Sequence, residues 1–177
     1  LQAWALDLGG TWLLPGLPGR TRLTVGYAYG SGDEHVANNS DGEFRQTGYE
    51  DNTARFGGVA SVQYYGAVLD PELSNLVVKT IGVGTRPHRN FSADLFYHHY
   101  QQDWAENDLR GSLVDPPARP NGFDTDIGWE VDLVLGTRNL WQAVKVSWTV
   151  GVFSPGKAYA PRQETAVLNK INVKVEI

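Results

Sequence analysis

Glu130 and Asp132 are two carboxylates separated by one residue, in a stretch where apolar and polar side chains alternate. On a strand such a pair shares one face. Glycoside hydrolysis uses paired carboxylates about 5–9 Å apart. The same pair can instead partner arginines and lysines across a passage, setting up a transverse field, and that is the reading taken. His98 and His99 are adjacent, so a strand would point them to opposite faces and they could not chelate one metal. His35 and His88 fall in connections expected at opposite ends of the sheet, and no Gly-x-Ser-x-Gly elbow occurs. Asn38-Asn39-Ser40-Asp41-Gly42-Glu43 is rich in oxygen donors but lacks the full spacing of a calcium loop, so it reads as a polar turn. Cysteine is absent, which removes disulfides and thiolate metal sites. Catalysis, a metal and a cofactor are therefore not expected.

The elements that must position these residues are strands. Residues 144–153 set Val144, Val146, Trp148, Val150 and Val152 against Lys145, Ser147, Thr149 and Gly151. Period-two alternation means a strand with one greasy and one wet face. Residues 3–13 do the same, with Trp4, Leu6, Leu8 and Trp12 on the apolar face and Asp7 on the other. Residues 20–30 place Leu23, Val25, Tyr27 and Tyr29 opposite Arg20, Arg22 and Thr24. Residues 90–101 place Phe91, Ala93, Leu95 and Tyr97 opposite Ser92, Asp94, Phe96, His98 and Tyr100. Residues 126–137 place Ile127, Trp129, Val131, Leu133 and Leu135 opposite Asp126, Gly128, Glu130, Asp132 and Gly136. Residues 168–177 place Ile171, Val173, Val175 and Ile177 opposite Lys170, Asn172, Lys174 and Glu176. The stretch 73–85 is least clean: Val77, Ile81 and Val83 share a face with Lys79, while Leu76 and Val78 fall on the other. A bulge would rescue that pattern, at no position the sequence reveals. Residues 59–69 read either as a short strand or as a loop folded back into a barrel mouth.

Seven strands result, joined by connections that run short, long, short, long, short, intermediate. Unequal loops at the two ends are the mark of an outer-membrane barrel, with brief periplasmic turns and larger extracellular loops. A soluble sandwich or lipocalin-like barrel also alternates, but turns its apolar face inward. Long structureless connections at about 31–72 and 102–125 do not suit a compact soluble domain. Tyr and Trp recur near the ends of the apolar faces, as interfacial girdles do. Trp4 and Trp12 would lie roughly 20 Å apart along the membrane normal, near opposite interfaces. No apolar run is long enough for a transmembrane helix.

The fold class expected is thus all-β, a transmembrane antiparallel β-barrel of outer-membrane type, with residues 1–177 as wall and the two long loops extracellular. The turns near Pro15, Pro87 and Leu140 would be periplasmic. Bacterial single-chain barrels normally have an even strand count. The odd count, the absence of methionine and a start at Leu1 almost inside a strand suggest a wall incomplete at its N-terminus. A net charge of −5 argues against a nucleic-acid partner. The expected surroundings are outer-membrane lipids and lipopolysaccharide, to which the acidic stretch from Asp103 to Asp108 could be bridged by divalent cations.

Four segments together resemble the alginate export family, outer-membrane porins through which acidic polysaccharide leaves the cell. They are Arg45-Gln46-Thr47-Gly48 with Asn52 and Arg55; Glu72-Leu73-Ser74-Asn75-Leu76; Asp126-Ile127-Gly128-Trp129-Glu130-Val131-Asp132-Leu133-Val134; and Gly151-Val152-Phe153-Ser154-Pro155-Gly156 with Ala158, Tyr159 and Pro161. The likeness runs from Arg45 to Ile177 in the order of that family's C-terminal part. It implies a barrel of about eighteen strands, of which this chain would be roughly 40 per cent. It implies a pore lined by basic residues that conducts a polyanion, with periplasmic secretion partners. Arg45 and Arg55 sit in the matching segment and would form a positive selectivity element, or else ion pairs with Glu43, Glu50 or Asp51 in a solvated loop. The remaining pore-lining candidates are Arg20, Arg22, Lys145, Lys170 and Lys174 with Asp94, Glu130 and Asp132, so the lumen is mixed in sign. A general anion or nutrient porin, a plugged structural or adhesive barrel, and an outer-membrane enzyme are the alternatives.

Overall fold

A computed structural model describes residues 2–34, 42–46, 52–112, 119–140, 143–161 and 164–175. Strands β1 (Ala5–Leu13), β2 (Arg22–Gly30), β3 (Thr53–Ala54), β4 (Val62–Gln63), β5 (Leu76–His88), β6 (Phe91–Gln102), β7 (Asp126–Leu140), β8 (Val144–Pro155) and β9 (Ala166–Val175) follow one another. Seven of them form one antiparallel sheet in the order β1-β2-β5-β6-β7-β8-β9, and β3 pairs with β4 separately. Among the described residues the only helical pieces are short 3-10 turns at Pro18–Arg20 and Lys157–Tyr159. The sheet is open, with β1 and β9 at its edges. Among the described residues no helix is long and apolar enough to cross a membrane.

The parity read from the sequence holds along the sheet. Trp4, Leu6, Leu8, Trp12, Val25, Tyr27, Ile81, Val83, Leu95, Tyr97, Trp129, Leu133 and Trp148 are exposed large hydrophobics on one face. Arg22, Thr24, Ser92, Asp94, His98, Glu130 and Asp132 are buried on the other. Ordinary burial is inverted: the greasy face is bare and the middle of the charged face is covered, while Asp7, Lys170 and Lys174 on the edge strands stay exposed.

The cover is the connection between β2 and β5, expected as a polar extracellular loop. Part of it lies on the inner face of the sheet. Tyr65, Val68, Leu69 and Leu73 make one core with Leu76, Val78, Tyr100, Ile127 and Phe153 of the strands. Ala60 and Val62, with Phe56 packed against them, make a second with Phe96 and Val134. Both readings of residues 59–69 are met in part: Val62–Gln63 is a short strand, and the rest folds back onto the wall.

Three expectations change. The irregular third strand needs no bulge along 76–84, where inward and outward residues alternate cleanly; Leu76 and Val78 are apolar because the folded-back segment covers them. Two expected turns are partly strand, since β5 runs through Arg86 and Pro87 to His88 and β7 through Arg138 to Leu140. Pairing loses register near those ends, between Thr85 and His88 and between Thr137 and Leu140. Ile127 does not face outward: it is fully buried. A register shift against Tyr100 and Gln101 places an extra residue there, and Gly128, at φ 125°, turns the chain as a bulge does.

Candidate functional site

The inner face of β6 to β9, with the segment seated on it, carries most of the candidate residues. β7 presents Glu130 and Asp132 at alternate positions, and the folded-back segment runs over them. The Ala67 N–H donates to Asp132 Oδ2 at 2.9 Å. The Val68 and Leu69 N–H groups donate to Glu130 Oε1 and Oε2 at 2.7 and 2.9 Å. The Tyr100 hydroxyl lies 2.8 Å from the Tyr65 carbonyl and 3.2 Å from Glu130 Oε2. His98 Nε2 stands 3.7 Å from Asp132, and Nδ1 is 2.9 Å from Thr80 Oγ1. Glu130 is thereby taken out of water with both oxygens hydrogen-bonded, and Asp132 through Oδ2 alone, its Oδ1 being buried without a hydrogen-bond partner. They do not stand open to a lumen, and they do not face a shared substrate cleft as a glycosidase pair would.

His98, Phe96 and Tyr100 stack along the inner face of β6, with ring centroids about 6 Å apart. His99 takes the opposite parity, half-buried, as its position on a strand requires. Asp94 is also covered, in a buried ion pair with Arg22. The segment is tethered further by the Val59 N–H to Ser92 Oγ at 2.9 Å and the Tyr65 hydroxyl to Asp7 Oδ2 at 2.8 Å.

Lysines gather at the other side of the seated segment. Lys145 and Lys174 stand directly opposite each other in the β8–β9 pairing, and Lys170 is opposite Thr149. They line a cavity of about 370 Å³ with Ser147, Asn172, Gln63 and Asp70. Burial raises the Asp70 carboxyl above its usual range, against the pull of the Gln63 hydrogen bond and the Lys170 charge. Like charges placed opposite each other on a sheet repel, and Asp70 shares the cavity with them.

Arg45 and Arg55 are exposed. Arg45 Nε is 3.3 Å from Glu43, the ion-pair alternative weighed for it. Glu50 and Asp51 lie outside the described residues, as do His35, Asn38 to Asp41 and Ile177. Arg20 is exposed on the turn before β2. Glu43 is the hub of a separate outer cluster, binding Arg110 through Nε and Nη2 at 2.7 and 3.0 Å and Ser74 Oγ at 2.9 Å. Burial pushes its pKa up, but the hydrogen bonds from Arg110, Ser74 and Arg45 and the Arg110 charge outweigh that and hold it below the ordinary glutamate range. Asp103 is also committed internally, to the Tyr29 hydroxyl at 2.8 Å and the Gly32 N–H at 3.0 Å. Among the described residues no group of three acidic or histidine side chains is placed to hold a metal.

The four quoted segments meet in pairs. Gln46 Oε1 accepts the Leu73 N–H at 2.7 Å, and Gln46 Nε2 reaches Asn52 at 2.6 Å. Asn75 exchanges two hydrogen bonds with the backbone of Trp104, each 2.9 Å. The Gly156 N–H donates to the Ile127 carbonyl at 2.8 Å. Their residues thus fasten connections to one another and to the sheet. Fold-back of residues 59–69 was one of the two expectations, but Glu130 and Asp132 were not foreseen as its partners; the apolar Tyr64-Tyr65-Gly66-Ala67-Val68-Leu69 run inside a polar connection was the visible trace.

The sequence pattern of the alginate export family matches residues 1–173. It therefore extends over β1 and β2, which carried no specific motif. The alginate production protein AlgE of Azotobacter vinelandii is 28% identical over 93% of this chain, and that of Pseudomonas aeruginosa 30% over 94%. The chain spans 37% and 35% of their respective lengths, about a third of each. On this match, and on the segments that fasten its connections to the sheet, the chain belongs to the alginate export family.

Proposed function

We propose that the chain is part of the wall of an outer-membrane β-barrel of about eighteen strands, through which an anionic polysaccharide leaves the cell passively. The observation that carries this reading is the inverted sheet: one face offers bare aromatic and aliphatic side chains to hydrocarbon, while the other holds every buried charge on the strands. Strand-to-strand pairing satisfies the backbone, as hydrocarbon surroundings require. The facing lysines of β8 and β9, with exposed Arg45 and Arg55, would offer a polyanion many weak sites, so that it enters and still leaves. The parts of the long loops not seated on the inner face would lie outside, among lipopolysaccharide, with secretion partners on the periplasmic side. No cofactor or nucleic acid enters the reading. Nor does catalysis, since Glu130 and Asp132 are engaged by backbone amides.

Single-channel recording of the full-length protein in planar bilayers tests it. Current blocked by added polyuronate supports export of acidic polymer. Passage of small solutes without such block would instead favour a general porin. The segment filling part of the inner face favours a second reading, a plugged barrel acting through its loops, which a protein silent under all these conditions would support.

A further inference from the structure

We propose that Glu130 and Asp132 are positioning residues, seating residues 67–69 on the inner face of β7 and thereby fixing the bore of the passage. The proposal rests on the pore reading above. Three consecutive backbone N–H groups converge on these two carboxylates at 2.7–2.9 Å. Successive amides in an extended chain point alternately to opposite sides, so this convergence needs a folded loop. Gly66 supplies the turn at φ 95°, and a Cβ there would meet the Glu130 carboxyl at 2.7–2.8 Å. The backbone comes this close only because that position has no side chain.

The arrangement answers a physical difficulty. Two carboxylates one residue apart on a lumen wall would repel a polyanion. Covered by the segment's amides, they present to the passage not their charge but the outer side of the seated segment. The carboxylates supply strong acceptors to amides that would otherwise be buried without partners. Replacing Glu130, each of whose oxygens accepts an N–H, with a carboxamide sets an NH₂ donor against one of those donors and releases the segment.

A thiol probe reads the seat. This chain has no cysteine, so Val68→Cys, at a buried position, reports on the seat and Ser61→Cys, exposed on the same segment, is the control. The full-length protein carrying each is labelled with a bulky water-soluble maleimide in lipid. Val68→Cys should react at least about tenfold more slowly than the control, the factor expected for a site that must open locally. E130Q should bring its rate toward the control and give larger, noisier channel openings, while E130D keeps both near native. Should E130Q not assemble, D132A, which removes the acceptor of the Ala67 N–H, is read by the same labelling. Equal reactivity of the two thiols in the native background overturns the proposal, and so does an E130Q or D132A variant that leaves labelling unchanged. A native protein that passes no current sinks the pore reading alone, because the labelling still decides whether the carboxylates seat the segment.

Discussion

Arg22 and Asp94 form a buried ion pair that reaches across the strand lying between them. Arg22 on β2 stands opposite Gly84 on β5, and Gly84 stands opposite Asp94 on β6. The pair therefore crosses directly above a residue with no side chain. A Cβ at Gly84 would come within 2.7 Å of the guanidinium. A buried charge that loses its partner costs about 3–5 kcal/mol. D94N, which leaves the Arg22 cation covered, should lower stability by about that much, and G84V should do so by displacing the guanidinium. Denaturant midpoints in detergent measure both. If D94N with R22M is no more stable than D94N alone, the pair is not what its geometry indicates.

Glu43 makes the outer cluster pH-dependent. Its folded pKa is held below its unfolded one by Arg110, Ser74 and Arg45, against its burial. Its stabilisation is therefore complete above the unfolded glutamate value and is lost as pH falls through the depressed folded value. Limited proteolysis of the connection around Arg110 should accelerate on acidification in the native protein. E43Q should already be fast near neutrality and show little further change with pH.

The facing amines of β8 and β9 should govern affinity for acidic polymer. Losing one unit charge near a bound carboxylate removes about 1 kcal/mol at 4 Å in water. K174Q should accordingly weaken polyuronate block about fivefold, and more steeply at low salt than at high. Unaltered block at low salt would place the polymer's path elsewhere.

The two faces should respond oppositely to the same substitution. Leu133 lies at the middle of β7 on the bare apolar face. L133R should cost about 2–4 kcal/mol in a bilayer, as for cations at the midplane of a barrel wall. S147R, on the lysine-lined inner side, should cost far less. Refolding yields into lipid vesicles compare the two, and an equal loss would refute the assignment of faces.

The wall was legible in the sequence because period two survives whatever packs on it. Trp148 and Thr149 declare their faces without help from the rest of the chain. Ile127 misled, because a bulge moves one residue across the parity, and its trace was the Gly128 beside it. Arg86-Pro87-His88 read as a turn because proline and charge usually mark one, yet the strand continues where register is already loosening. Glu130 and Asp132 were placed on the correct face but given the wrong surroundings. Charge on the inward parity suggests water, whereas their partners are amides more than sixty residues away. Backbone donors leave no mark on a sequence. The apolar inward residues Leu76, Val78, Tyr100 and Phe153 were the better clue, since an open aqueous lumen gives them nothing to pack against.

The seat also imposes an order on assembly. Leu69 leaves the ribosome well before Glu130, 61 positions further on. The segment has nowhere to dock until β5, β6 and β7 have paired. Contacts of such separation form late, after loop closure has been offset by strand pairing. Until then the apolar run at 64–69 has no packed face to cover it. Docking then marks a finished stretch of sheet, since the acceptors that hold residues 67–69 come into place only with β7.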